Sequence, residues 1–447
     1  MTHRTLFSAA QALCNSVRLN LRHSFIRILT SRKGSLMKYL AEDDPEVARI
    51  IRDEESRVEN TLDLIAAENH APASILEAQG SIFNLKAAEG FPGNRFHAGC
   101  RHADELERLA VSRAKRLFDA DHANVQPHSG VSANLAVYFS VLDVGDRILS
   151  MKLSHGGHLS HGDAASMTSK CFDFQHYGLN LETEQIDYDE VGNLAEKFKP
   201  RLIVAGASSY PRLIDYIKLA EIAQSVSAFL LVDMAHIAGL VAAKAIPSPV
   251  PHADFVTFTT YKTLRGGRGG VILCKKEHAG KIDRAIFPGG QGTPSLNFVA
   301  AKAVCFYLAM ADDFVDLQKK TLKNAVCLAS EFENQGYRIV SGGTDNHLVL
   351  IDLRSKGLTG AFAEATLEAV DIIVNRNVIP GDPERPDVTS GIRIGSPAIT
   401  SRGMGETEVR QIVPMMDTAM LNCENSQILK QVAKAVQDLC KKFPVNK

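Results

Sequence analysis

The sequence predicts an α/β protein with a mostly parallel central sheet, helices on both of its faces, and a smaller C-terminal α+β domain. Three observations predict it. From about residue 105 short apolar runs alternate with helical patterns, as expected of a buried parallel sheet and its covering helices. Five of those runs end in Ser, His, Asp or Lys. After the long helical stretch "TPSLNFVAAKAVCFYLAM" the alternation gives way to strands of mixed polarity.

Taken in order, residues 1–36 hold no acidic residue, the first being Glu42. They carry Arg4, Arg18, Arg22, Arg27 and Arg32 with several serines. Such a start resembles a mitochondrial transit peptide; a basic tail and a true start at Met37 are the alternatives. The expected location is the cytoplasm, or the mitochondrial matrix if these residues are a transit peptide. "DPEVARIIRDEESRVENTLDLIA" has apolar residues at helical spacing and predicts an amphipathic arm. "DELERLAVSRAKRLFDA" reads as a helix, "HANVQP" as a short strand and "HSGVSANLAVYFSVL" as a helix. The strands "DRILSM", "RLIVAGAS", "AFLLVDMA", "DFVTFTT" and "GGVILCK" follow, with helices such as "YIKLAEIAQSVS" between several of them. "YRIVSGGTDNHLVLIDL", "IIVNRNVI" and "GIRIGSPAI" form the smaller domain. The expected division is a basic extension over 1–36, a helical arm over 37–90, a large α/β domain over 91–315 and a small α+β domain over 316–447.

Composition narrows the function classes. The chain has 447 residues, 45% hydrophobic and 23% charged, with a formal net charge of -1. That fits a soluble globular protein and gives no electrostatic case for nucleic acid or a membrane surface. No apolar run is long enough to span a bilayer. The eight cysteines contain no C-x-x-C pair, which argues against a zinc cluster or disulfide framework and for a reducing compartment.

Ligands of open α/β sheets bind outside the carboxyl ends of the strands, and the polar residues gather there. Ser129 and Gly130 open a helix after "HANVQP". His155, His158 and His161 follow "DRILSM". Ser208 follows "RLIVAGA". Asp233 ends "AFLLV", with His236 just beyond. Tyr261 and Lys262 follow "DFVTFTT". Caps and turns use the same residue types, but five such ends together fit one cofactor. Pyridoxal phosphate needs a lysine for its Schiff base, a carboxylate for its pyridine nitrogen, and a helix N-terminus for its phosphate. Read alone, Lys262 is a surface charge and Asp233 a helix cap. One strand apart, they become a pair. "HGGHLSH" also invites a metal reading, yet no Cys stands beside it in sequence, and its glycines suggest close backbone approach. Stacking of His158 on a flat ring is the favoured reading, with no metal.

Residues 44 to 444 resemble serine hydroxymethyltransferase, a fold-type I pyridoxal-phosphate enzyme. The stretches that carry the resemblance include "AEGFPGNRFHAGC", "ANVQPHSG", "HGGHLSHG", "VDMAHIAGLVAA", "TTYKTLRGGRGG", "FPGGQG", "VSGGTDNHL" and "TSGIRIGSPAIT". The resemblance implies conversion of serine and tetrahydrofolate to glycine and methylenetetrahydrofolate, by a homodimer or homotetramer with shared active sites. It implies that Lys262 carries the cofactor, Asp233 pairs with its ring nitrogen and His158 stacks on it. Ser208 and His236 lie near the ring hydroxyl, and Ser129, Gly130 and the partner's Gly290 hold the phosphate. Arg393 binds the substrate carboxylate, for which a two-pronged guanidinium is suited. Glu89 is the acid–base carboxyl, and Leu153, Gly157, Leu159 and Asn377 match the folate pocket.

Several positions depart from the family pattern. Ala67 replaces a serine and Ala87 a tyrosine. Phe96 and His97 replace a tyrosine pair, which puts His97 close to the substrate. Val131 replaces a serine of the phosphate site, and Tyr261 a histidine, so its phenol is a candidate replacement donor. A phosphate oxygen left unpaired in a closed site costs roughly 1–3 kcal/mol. The space at Ala87 suggests an alternative substrate, 2-methylserine or another β-hydroxy amino acid, with or without folate. A family member that binds cofactor or partner without turnover is the third reading.

Overall fold

The computed structural model describes residues 38–445. The reading of residues 1–36 lies outside the described residues. Among the described residues no helix is long and apolar enough to cross a membrane.

A seven-stranded sheet forms the centre. In spatial order its strands are His122–Asn124, Gly270–Cys274, Phe255–Thr259, Phe229–Asp233, Leu202–Ala205, Arg147–Met151 and Asp173–Tyr177. Every pairing is parallel except the two made by Gly270–Cys274. The fold is therefore of the expected α/β class. Successive side chains of a strand point to opposite faces, and both faces are covered. Leu149, Ile203, Val232, Val256 and Leu273 enter one core, while Ile148, Leu202, Val204, Leu231, Phe255 and Ile272 enter the other. That double burial is why these strands read as unbroken apolar runs rather than alternating ones.

A second, antiparallel sheet orders Arg338–Ile339, Leu348–Asp352, Gly391–Gly395 and Asn375–Asn377. It packs with its helices around a separate core that includes Val349, Ile351, Ile392, Ile412 and Met416. One helix, Asp312–Asn334, runs from the first sheet's side into this core, so the expected division at residue 315 falls inside a helix.

Three local readings change. The helix Pro45–Asn60 is capped by the Asp44 carboxylate, which accepts from the Val47 N–H, but it stops before "TLDLIA". Leu62–Asp63 instead forms a strand parallel to Ile372–Ile373, and Leu62 and Leu64 join the second core. Leu62 and Leu64 alternate with period two, and that pattern overrides the helical one. "HANVQP" is a strand only to Asn124; Val125 and Pro127 turn away, their carbonyls accepting from the Lys302 ammonium at 2.7 and 2.9 Å. Asp173–Tyr177, an edge strand that begins with an exposed aspartate, carries mixed polarity and gives no clear strand signal.

Candidate active site

The carboxyl ends of the central strands meet at a cavity of about 160 Å³. Its lining includes Ser129, Gly130, His158, Ser208, Asp233, His236, Tyr261 and Lys262. Eight predicted residues, scattered over 134 positions of sequence, are thus brought together by strand order alone.

Asp233 is the last residue of its strand. Its carboxylate accepts from the Asn134 amide at 2.8 Å, from His161 Nε2 at 3.2 Å and from the Ala235 N–H at 3.0 Å. Burial alone would raise its pKa. His161, by hydrogen bond and charge, then His158 and Asn134, outweigh that and hold the carboxyl far below the ordinary range. Asn134 is itself oriented, its carbonyl accepting from Thr257 at 2.6 Å. Gly206, at φ +116°, lies so close to the Asp233 carbonyl that a Cβ would overlap it. Here glycine is required.

Lys262 follows the neighbouring strand Phe255–Thr259 and is 7% exposed. Burial, with Arg393 and Arg268, lowers its ammonium to about 8 against the opposing pull of Asp233. Among the described residues no carboxylate lies within 4.0 Å of its amine. A buried lysine without an ion-pair partner is a nucleophile candidate rather than a structural charge. Tyr261 stands beside it, with the Arg268 guanidinium 4.4 Å and the Lys262 ammonium 5.9 Å from its ring centroid. Such contacts fix both the ring and the arginine at the cavity wall.

The helix Gly130–Val141 presents its N-terminus to the cavity. Ser129 and Ser132 form a reciprocal capping box there. A Cβ at Gly130 would meet Thr259 Cγ2 at 2.9 Å, so the loop depends on close backbone approach. Val131 is 42% exposed beside it.

Arg393 projects from Gly391–Gly395 of the second sheet. It donates to the Ser208 carbonyl at 2.6 Å and to Asn375 Oδ1 at 3.2 Å. Burial brings its guanidinium down to about 10. Among the described residues it has no carboxylate partner within 4.0 Å, which leaves a buried cation suited to a small anionic ligand. Asn377, the predicted folate residue, donates to the Val378 carbonyl; Asn375 touches the arginine.

The three histidines of "HGGHLSH" divide their tasks. His155 accepts the Leu179 N–H at 2.8 Å. His158 lies against Ser160 Oγ at 2.8 Å and lines the cavity. His161 holds Asp233. The fold brings Asp233 to them, and donor atoms of His158, His161 and Asp233 lie within 4.8 Å of one another. Hydrogen bonds engage His158 Nδ1, His161 Nε2 and both Asp233 oxygens. Leu153 and Leu159 are exposed on short turns flanking His158, and Gly157 packs against the Met151 carbonyl.

Glu89, His97 and Gly290 are not in the cavity lining. They lie beyond its His128 wall, where Gln291 Oε1 accepts from the His128 N–H at 3.1 Å. Glu89 and His97 Nε2 pair at 2.6 Å, and Phe96 packs edge-on against Phe287 beside the Gly290 turn, centroids 5.4 Å apart. A hydrogen bond from Thr293 first, and His97 behind it, hold Glu89 below the ordinary carboxyl range. Arg95 braces this hairpin, donating to the Ala88 and Gly90 carbonyls and pairing with Asp104 and Glu107.

Burial also keeps several histidines neutral. It lowers His70 and His158 to about 4, and His347 to about 3 with help from Arg393 and Lys262. His236 is also lowered well below its ordinary value, by burial and then Lys262 and Arg393. Below about pH 6.5 the unfolded chain takes up protons that these sites refuse. Stability present above that pH is therefore lost as pH falls towards 4. Asp63, raised to about 8 by burial and Glu68, acts with the opposite sign but is outnumbered. Unfolding at pH 5.5 is expected to absorb about one or more net protons, measurable by calorimetry in buffers of different ionisation enthalpy. Net proton release would contradict these assignments.

A buried lysine, a carboxylate held ionised one strand away and a helix N-terminus in one cavity, on this sheet, define a fold-type I pyridoxal-phosphate-dependent transferase. The family model for serine hydroxymethyltransferase matches residues 40–416. The chain belongs to that family, whose members are pyridoxal-phosphate-dependent enzymes of hydroxymethyl transfer.

Proposed function

We propose that this chain transfers the hydroxymethyl group of serine to tetrahydrofolate, giving glycine and 5,10-methylenetetrahydrofolate. The observation that carries it is the Lys262 amine, buried in the cavity shared with Asp233 and Ser129 and, among the described residues, without an ion-pair partner. The residues present fit pyridoxal phosphate: Lys262 to hold it covalently, Asp233 to keep a ring nitrogen protonated, and Ser129 with Gly130 for the phosphate. When bound, the cofactor supplies an electron sink for the carbon–carbon bond cleavage.

The remaining work falls to the chain. Arg393, already fixed by Ser208 and Asn375, binds and orients the amino-acid carboxylate. His158 covers the ring face. Glu89, held as a carboxylate beside His97, accepts the proton of the serine hydroxyl. Tyr261 replaces a lost phosphate donor at positions 87 and 131. Leu153, Gly157, Leu159 and Asn377 frame the folate. Because Glu89, His97 and Gly290 lie apart from the cavity within one chain, we place them in the site of a second copy, as a homodimer or a pair of dimers.

A second reading keeps the chemistry and changes the amino acid to 2-methylserine or a related β-hydroxy acid. The pairing of Glu89 with His97, where the family has tyrosine, and the small side chains at Ala67 and Ala87 favour it. Steady-state rates with serine, 2-methylserine and allo-threonine, each with and without tetrahydrofolate, separate the two. Serine is expected to turn over fastest and to require folate. Faster 2-methylserine turnover, or serine cleavage indifferent to folate, would replace the first reading with the second. Bound cofactor without turnover of any of the three would remove both.

A further inference from the structure

"VSGGTDNHL" holds a histidine to which no role has been given. His347 immediately precedes the strand Leu348–Asp352 and is fully buried. Its Nε2 lies 3.2 Å from the Ala66 carbonyl oxygen and 3.4 Å from His236 Nδ1. Among the described residues its own Nδ1 has no partner. The two rings are nearly parallel, 26° apart, with centroids separated by 5.5 Å. With the nitrogens 3.4 Å apart, the rings meet edge to edge, nitrogen to nitrogen, rather than face to face.

We propose that His347 is a positioning residue that fixes the proton of His236 on Nε2, so that His236 acts as a donor into the cofactor cavity. The argument is one of proton counting. A carbonyl oxygen only accepts, so the His347 nitrogen beside Ala66 carries the hydrogen. Lys262 and Arg393 are cations near both rings, and burial removes water. Both imidazoles are therefore neutral, with one hydrogen each. His347 Nδ1 is then bare, in keeping with its lack of an acceptor. His236 Nδ1 faces an N–H and has to present its lone pair, because two hydrogens would collide there. The single hydrogen of His236 is left on Nε2.

The His236 backbone is also pinned. Its carbonyl accepts from Thr263 Oγ1 at 2.7 Å, and that hydroxyl accepts from the Gly239 N–H at 3.0 Å. A ring fixed at its backbone and at Nδ1 has only Nε2 to offer the cavity, which it lines with Asp233, Ser208 and Lys262. Its partner is accordingly an oxygen acceptor, a phenolate or carboxylate, and not a cation. The inference rests on the proposed function only for what occupies the cavity; the proton position follows from the protein alone.

The test is 15N NMR of selectively histidine-labelled protein, with His236 assigned by the disappearance of its signals in His236→Gln. In the wild-type chain, with or without cofactor, His236 is expected to show an unprotonated Nδ1 and a protonated Nε2. A protonated Nδ1 overturns the proposal. In His347→Phe the His236 pattern is expected to become a mixture of tautomers and kcat to fall about tenfold, the order of one lost hydrogen bond. His347→Gln, whose amide can replace the N–H, is expected to restore the wild-type pattern and most of kcat. An unchanged pattern in the Phe variant, or a Gln variant no better than Phe, also overturns it. If the tautomer is as stated but serine is not turned over, the functional reading fails and this one stands.

Discussion

Lys262→Ala is expected to abolish turnover, by at least about a thousandfold, because in the proposed reaction the residue acts as a nucleophile and not as one charge among several. The visible absorbance of covalently held cofactor should vanish with it. The structural case is that the amine is buried, is brought down to about 8, and has no carboxylate within ion-pair distance among the described residues. A lysine kept for stability would look different, as Lys302 does. It too is fully buried and brought down, to about 7 by burial, but its ammonium donates to the Val125 and Pro127 carbonyls. Removing Lys302 leaves buried acceptors unpaired, whereas removing Lys262 leaves only space. Lys262→Ala should therefore fold with an unchanged or higher Tm while losing activity. Lys262→Arg is the control that retains the charge, and it should be equally inactive, since a guanidinium does not lose its proton. Normal serine turnover by either variant would remove Lys262 from the chemistry.

The contrast between these lysines shows what the sequence could and could not convey. Lys262, Asp233 and Ser129 each stand at the end of an apolar run, and the run locates them at the carboxyl edge of a parallel sheet. Their meeting follows from fold class. Asn134 and Thr257 sit inside apolar segments, where a polar residue has no partner visible along the chain. His161 was visible as one of three histidines, but its partner Asp233 is 72 residues away. The link depends on which strands are neighbours. A buried asparagine one turn into an apolar helix was the signal available for Asn134. His347 and Asn375 come from the second sheet, and nothing local in sequence shows that this sheet faces the first. The strand Leu62–Asp63 was lost for a related reason. It pairs with residues more than 300 positions away, and a preceding helical pattern ran up to it.

Mixing two inactive chains is expected to restore activity. The Lys262 cavity is built within one chain, yet Glu89 and His97 lie on a hairpin outside it. That hairpin is rigid, since Arg95 ties the Ala88 and Gly90 carbonyls to the buried Glu107 carboxylate. Movement of the hairpin backbone towards its own chain's cavity would break a buried ion pair, whose rupture costs roughly 3–5 kcal/mol. Around it Ile82, Leu85 and Phe96 are each more than 70% exposed, an apolar face that a second copy would cover. If the partner supplies Glu89, Lys262→Ala and Glu89→Gln chains are each inactive as homodimers. A mixed dimer holds one site with both defects and one with neither. Random reassociation of equal amounts should then return about a quarter of the wild-type kcat, as two-fold pairing requires. A chain carrying both substitutions, mixed with wild type, supplies the control, because there no mixed site is intact. Activity of the complementing mixture no higher than that of either variant alone would mean that each chain completes its own site, and the shared-site reading would fall.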